Sequence, residues 1–357
     1  MSQPNHVSLL KAIKQRTLNA ARRSGLTSLA RDSRWRGRRL LILGYHGVSA
    51  TDEHEWDSEL YVPREFLRSR FVALRDGGYE VLPLSEAVSR LYDGTLPSRA
   101  VALTFDDGAA DFHSQVRPLL VEFGYPATVY LTTYYAQTQR PVFNTMLRYV
   151  LWKGRDRRLD APDLLESPEP VSLRTREERE AVFSAIMRRC LRDELSGADK
   201  DAIIGSVAER IGVDYQTIRA RRTLCLMSAE EVASLPRDLI DVQLHTHRHR
   251  VPTEREPFMR EIVDNRRAIA SMTNGANATH FCYPSGVTHP AFRGWLSEMG
   301  VTSATTCFPG IASSASDPLL LPRLIDTMHL APVEFEGWLT GASAFLPRRT
   351  VRAVAPL

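Results

Sequence analysis

The sequence predicts an α/β fold built on a mainly parallel sheet, open or closed into a barrel. Three observations carry this expectation. Short apolar runs rich in Val, Ile, Leu and Thr recur along the chain. Helical patterns with clear stop signals lie between several of them. Reactive or turn-forming residues stand where the runs end, which is where parallel α/β sheets and barrels gather their sites.

Taken in order, the chain opens with a basic arm. Residues 1–40 carry ten Lys or Arg and one acid, Asp32. Residues 7–30 read as one or two short amphipathic helices, with Leu9, Leu10, Ile13, Thr17 and Leu18 on one face. Such an arm either packs as a solvated segment on the domain or docks on an anionic membrane surface or lipid-linked substrate. The first strand follows as "LLILGYH" (40–46). "REFLRSRFVALRDGGYE" (64–80) is a helix stopped by two glycines. "AVALTFDD" (100–107) is the second strand. "DFHSQVRPLLVEFGYP" (111–126) is a helix closed by Gly124 and Pro126. "ATVYLTT" (127–133), "LIDVQLH" (239–245), "ATHFCYP" (278–284), "VTSATTC" (301–307) and "LLLPRLID" (319–326) complete the strand set.

Residues 135–235 break the alternation. The segment is charged and helical, with Val182, Phe183, Ile186, Met187, Cys190 and Leu191 on one helix face. It reads as an insertion between two strands that covers part of the site or shapes substrate choice. The domain plan is therefore an arm over 1–39, a catalytic domain over 40–340 with the insertion at about 135–235, and a tail over 341–357.

Composition sets the outer bounds. A chain of 357 residues, 43% hydrophobic and 25% charged with net charge +4, has the make-up of a soluble globular protein. It holds no run of 18 apolar residues, so no transmembrane helix is expected. The four cysteines are widely spaced without a CxxC pair, which argues against a disulfide scaffold or a structural zinc knuckle. Reduced thiols and an N-terminus without an apolar leader core predict a cytoplasmic protein, peripheral at the inner face of the membrane.

"VALTFDDG" (101–108) poses the chemical question. Neighbours on a strand point to opposite faces, so Asp106 and Asp107 serve one site only if the strand ends there. Gly108 lets the chain turn away. Two adjacent carboxylates repel unless a cation sits close by. "LHTHRHR" (244–250) offers the partners. If the strand continues, His245 and His247 share a face. If the chain turns helical after His245, His245 and His249 lie one turn apart. The apolar run stops at Leu244, which favours the second pair. His245, His249 and Asp107 then form a set of two nitrogens and one oxygen with positions left open, as catalytic zinc sites have.

"TFDDG" followed by Asp111, "HTHRH" and "FCYPSG" resemble the motifs of the NodB-type polysaccharide deacetylases, carbohydrate esterase family 4. "LGYHGVS" resembles the opening of the branch that includes poly-N-acetylglucosamine deacetylases. The resemblance spans roughly residues 40–135 and 225–330. It implies a distorted (β/α) barrel and a divalent metal, most often Zn²⁺, held by Asp107, His245 and His249. It implies hydrolysis of an N-acetyl group on an amino-sugar glycan or glycolipid. Asp106 stands in the general-base position, Thr246 in the Ser/Thr slot, and the backbone N–H of Ser285 where the family stabilises the oxyanion. His46 of the "YH" motif takes the general-acid role in this branch; His329 in "DTMHL" is the competing candidate.

The chain departs from the family pattern at two places. Cys282 stands where an arginine usually orients the base, and Arg323 in "LPRLID" is the candidate replacement. Ser285 replaces a sugar-stacking aromatic, with Tyr283 the candidate to compensate. Two other readings use the same residues: an amidase for non-sugar cyclic amides, and a degenerate glycan-binding module. Nothing in the sequence points to nucleic acid.

Overall fold

The computed structural model describes residues 5–165 and 167–346, with side chains from residue 9 onward. Residues 1–4 of the arm and 347–357 of the tail lie outside the described residues. Seven parallel strands form the centre: β1 (Arg39–Tyr45), β2 (Ala100–Phe105), β3 (Ala127–Leu131), β4 (Ile240–Leu244), β5 (His280–Cys282), β6 (Ser303–Thr305) and β7 (Leu324–Ile325). Their spatial order is β7-β1-β2-β3-β4-β5-β6, parallel at every step. The two edges then meet. Leu321, just ahead of β7, bridges Thr305 of β6. Its N–H donates to the Ala304 carbonyl (2.8 Å) and its carbonyl accepts from Thr306 N–H (3.0 Å). The distorted (β/α) barrel expected from the sequence is thus present, closed at one seam by a single bridge.

The period-two pattern of the strands explains the layering. Leu40 and Ile42 of β1 and Ala100 and Ala102 of β2 share one core cluster with Tyr130, Cys282 and Leu321. Residues from opposite sides of the curl meet there, so this is its inner face. Leu41, Leu43, Val101, Leu103 and Phe105 face the other way, against Phe71, Phe258 and other helical side chains. The strands are buried on both faces, as helix-flanked parallel strands must be. Helix Arg64–Asp76 covers one sector; beyond it Gly78 takes a left-handed φ of 64°. Its Arg70 reaches inward. The guanidinium binds Asp326 at the end of β7 (2.9 and 3.2 Å), and Tyr45 OH donates to the same carboxylate (3.0 Å). This buried triad fixes the ends of β1 and β7.

Residues 133–220 form helices between β3 and β4 with a core of their own, including Met146, Leu147, Ile186, Ile204 and Val207. Capping boxes start two of them: Thr175 with Glu178, and Ser196 with Asp199. Val182, Phe183, Ile186 and Cys190 are buried as expected, but Leu191 is 70% exposed and leaves the predicted face. It lies at the edge of the apolar stripe, one position past Cys190.

The arm forms helix Asn5–Arg23 and packs on helix Pro332–Leu339. The predicted common face does not hold. Leu18 is buried, whereas Leu9, Leu10 and Ile13 are exposed. At 100° per residue Leu18 lies opposite Leu9. The docked side is largely polar: Lys14 and Gln15 meet Glu334, and Lys11 donates to the His329 carbonyl (2.6 Å). Past residue 340, Ser343 is buried and Phe345 packs on Trp35. Among the described residues no helix is long and apolar enough to cross a membrane.

Candidate active site

The inner face changes character toward the carboxyl ends of the strands. Leu40 and Ile42 give way to Gly44 and His46; Ala100 and Ala102 give way to Thr104 and Asp106. Arg323, fully buried, fills the space between. It is admitted by a missing side chain: a Cβ on Gly44 would stand 2.7 Å from Ile325 Cδ1 and 3.0 Å from Arg323 Nε. The guanidinium grips both oxygens of Asp106 at 2.6 Å, a fork-to-fork pair. It also donates to Thr104 Oγ1 (3.1 Å) and touches Cys282 Sγ (3.2 Å). Cys282 therefore leaves room for a guanidinium that arrives from β7. Burial works to raise the Asp106 carboxyl, but Arg323 outweighs it and holds the group below its ordinary range. His46 Nε2 stands 3.6 Å from Asp106 Oδ2.

Asp107 turns away from its neighbour. Its φ of 66° breaks the strand alternation, and Gly108 follows at φ 78°. A Cβ on Gly108 would lie 2.3 Å from Leu131 Cδ1, so the turn requires glycine there. Asp107 Oδ1 consequently sits 3.3 Å from His245 Nε2 and 3.2 Å from His249 Nε2. All three donor groups lie within 4.8 Å of one another.

The "HTHRH" segment brings the histidines together without a helix. It is an irregular turn in which Thr246 (φ 62°) and His249 (φ 55°) adopt left-handed backbone. The pair expected from the sequence converges, but the expected helical spacing does not form, because two residues with positive φ fold the chain back on itself. His247 leaves the site and meets Thr133 Oγ1 (2.8 Å). Thr246 Oγ1 accepts from Arg250 N–H (3.2 Å).

Helix Arg255–Met272 clamps this turn through two buried polar residues that sequence reasoning missed. Asn265 accepts from His245 N–H (2.9 Å) and donates to the Leu131 carbonyl (2.9 Å) and Thr133 Oγ1 (3.0 Å). Glu261 accepts from Arg248 N–H (2.7 Å) and its guanidinium (3.0 Å). The signal was there: Glu261 and Asn265 are one turn apart on the stripe that carries Phe258, Ile262 and Ile269.

The donor set fits a divalent cation. His245 Nδ1 faces the Cys282 carbonyl at 2.8 Å, which assigns its proton to that nitrogen and leaves a lone pair on Nε2. Asp107 Oδ1 is buried without a hydrogen-bond partner. A carboxylate oxygen and two imidazole nitrogens facing one another leave positive charge as the missing element.

Asp106, Asp107, His46, His249 and Ser285 line one cavity of about 370 Å³, with Tyr61 and the insertion residues Tyr135 and Leu226 on its other walls. Ser285 holds a left-handed φ of 54° at the end of β5. Tyr283 does not compensate for the lost aromatic. It is buried, and its OH donates to the Leu319 carbonyl (2.9 Å). His329 lies outside this cavity, against Ser58 Oγ (3.0 Å).

The curled parallel sheet defines the class, a distorted (β/α) barrel, with ionisable side chains gathered at the carboxyl ends of its strands. The comparisons give the particulars. Residues 93–152 match the polysaccharide deacetylase family. The poly-beta-1,6-N-acetyl-D-glucosamine N-deacetylase of Escherichia coli K12 is 33% identical over 101 residues, 28% of this chain and 15% of that protein. The putative polysaccharide deacetylase YxkH of Bacillus subtilis is 33% identical over 94 residues, 26% of this chain and 32% of that protein. The chain thus spans less than a third of the length of these curated relatives. Among solved structures, IcaB from Ammonifex degensii shares the fold with a TM-score of 0.55 at 16% identity, covering 85% of this chain and 98% of that one. The chain is thus similar to polysaccharide deacetylases over part of its length, and the barrel is the fold it shares with the solved structure.

Proposed function

We propose that this protein is a metal-dependent N-deacetylase acting on an N-acetylated amino-sugar glycan or glycolipid. The observation that carries the reading is the approach of Asp107 Oδ1 to His245 Nε2 (3.3 Å) and His249 Nε2 (3.2 Å), beside a separately held Asp106. Asp107, His245 and His249 would hold the ion, and their two-nitrogen, one-oxygen set suits Zn²⁺. Bound there, the cation would polarise the amide carbonyl and lower the pKa of a water.

The chain's own residues supply the rest. Asp106, fixed by Arg323, takes the proton of the attacking water as that oxygen bonds to the acetyl carbon. The N–H of Ser285 stabilises the oxyanion. His46 lines the same cavity and gives a proton to the nitrogen as the C–N bond breaks. The products are acetate and a free amine. The relative from E. coli is named for a poly-N-acetylglucosamine substrate, which makes N-acetylglucosamine oligomers the first substrates to try.

The basic arm enters the same reading as a contact with an anionic membrane surface. Leu9 (57%), Leu10 (66%) and Ile13 (48%) are exposed, and Arg16 and Arg23 are exposed on the same side of the helix.

The test is acetate release from N-acetylglucosamine oligomers and from small cyclic amides. The reading expects release from the oligomers alone. Turnover of cyclic amides alone would replace the substrate class, and oligomer binding without turnover in metal-replete protein would make this a binding module.

A further inference from the structure

A second cavity, of about 710 Å³, adjoins the first. One loop walls both: Leu60 and Tyr61 line the catalytic cavity, while Trp56, Asp57, Ser58 and Glu59 line its neighbour. The far side is built by the insertion, through Arg148, Leu151 and Trp152 on helix Phe143–Lys153 and Arg176, Arg179 and Glu180 on helix Arg176–Arg192. An aromatic series connects the two. Tyr61 packs on Trp56 (6.0 Å), Trp56 on Tyr149 (5.4 Å) and Tyr149 on Trp152 (5.8 Å).

We propose that this second cavity is a sugar-binding subsite, and that the two cavities form one cleft for a glycan chain of several units. The inference rests on the deacetylase reading for the identity of the sugar. The catalytic cavity is near the small end of ligand sites, so a polymer bound there must continue outside it. The neighbouring lining suits a saccharide. Half-buried Trp56 offers ring surface for the apolar face of a pyranose. Donors and acceptors both line the cavity with it, and Arg176 and Glu59 are exposed for hydroxyl and amide groups. Arg148 is already paired with Glu180 (2.8 and 3.2 Å), and Arg179 with the carbonyls of Leu173 and Arg174 (2.8 and 2.9 Å). With carboxylates and guanidiniums both on the wall, the site favours a neutral polar unit over a phosphate. The arrangement gives the insertion a task that the barrel chemistry leaves unassigned.

The experiment compares N-acetylglucosamine dimer and pentamer. Wild-type protein should show a kcat/KM at least tenfold higher for the pentamer. Arg176→Trp, which fills the cavity from the insertion side, and Glu59→Trp, which fills it from the loop side, should each collapse that ratio toward one. Two exposed positions on opposite walls guard against a folding artefact in either. The same oligomers are titrated into Asp106→Asn protein, with and without Arg176→Trp. Pentamer should bind at least tenfold more tightly than dimer, and the added Trp should remove the difference. Equal affinity for both lengths, or a length preference that survives both Trp variants, overturns the subsite. If no oligomer releases acetate but the binding difference appears and is lost with Arg176→Trp, the subsite stands and the proposed reaction falls.

Discussion

Arg323 and Asp106 make the buried pair on which the site's charge balance turns. Removing one member of such a pair strands the other in a dry interior, at about 3–5 kcal/mol. Arg323→Met should therefore lower the melting temperature and cut turnover steeply. The direction of the pH effect follows from the same contact. Arg323 holds the Asp106 carboxyl low against burial. Without it, burial prevails and the carboxyl titrates at higher pH. The acidic limb of the kcat profile should shift to higher pH in Arg323→Met, and an unmoved limb would show that Asp106 is not the group titrating there.

Asp111 gives a second prediction at this scale. Burial, with the nearby carboxylates of Glu53 and Asp107 adding to it and the Val48 N–H opposing it, pushes its carboxyl up to about 8. An unfolded Asp releases its proton near pH 3.9. Between those values the folded chain binds more protons than the unfolded one, so stability falls as pH rises through that window. Asp111→Asn keeps the acceptor for Val48 N–H and abolishes the titration. Thermal melts of the variant should lose part of the decline between pH 5 and 8; an identical decline would mean that Asp111 is already ionised. At this scale the site was readable in the residues themselves. Two adjacent carboxylates at a strand end and clustered histidines at another are unusual enough to be noticed. The roles of Cys282 and Arg323 followed from asking what neutralises the base. Tyr283 misled because a motif position says nothing of burial.

At the level of elements, the turn 245–250 shows what periodicity does not carry. Helical spacing and the observed turn both bring His245 and His249 together, and only backbone angles tell them apart. Four of the residues with positive φ, Asp107, Thr246, His249 and Ser285, stand at the site. Such conformations cost on the order of 1–3 kcal/mol each and persist only where surrounding contacts enforce them. Asn265 and Glu261 are those contacts for the histidine turn. Asn265→Ala leaves the His245 N–H and the Leu131 carbonyl unpaired in a dry interior. We expect a loss of about 2–4 kcal/mol in chemical denaturation and weaker metal retention on dialysis; full stability and retention would show that the turn holds itself. The strands were legible because each lies in a short apolar run that ends on a polar or turn-forming residue. Helix Arg255–Met272 went unread because its stripe is interrupted by the two polar residues that serve the site.

For the whole molecule, seven strands in sequential order bring His46, Asp106, Asp107, His249 and Ser285 from distant parts of the chain to one mouth. The period-two pattern could not say whether the sheet closes. That depends on Leu321, a single bridge residue with no signature of its own. The arm was legible as basic and helical, but not in orientation. Its charged side answers the acids of helix Pro332–Leu339, and Leu9, Leu10 and Ile13 stay outside while Leu18 is buried. If that surface meets a membrane, the full chain should co-sediment with vesicles rich in anionic lipid and release at high salt. The double variant Leu9→Asp, Ile13→Asp should stay in the supernatant, and equal partition of both proteins would exclude the arm.

The central claim concerns one ion and three ligands, and metal content measures it directly. Protein purified without chelator and analysed for bound divalent metal should hold about one ion per chain. Asp107→Ala, His245→Ala and His249→Ala should each lose it, while Asp106→Asn retains metal and loses turnover. Metal-free protein that releases acetate at the full rate, or Asp106→Asn that loses metal as completely as His245→Ala, would contradict the account.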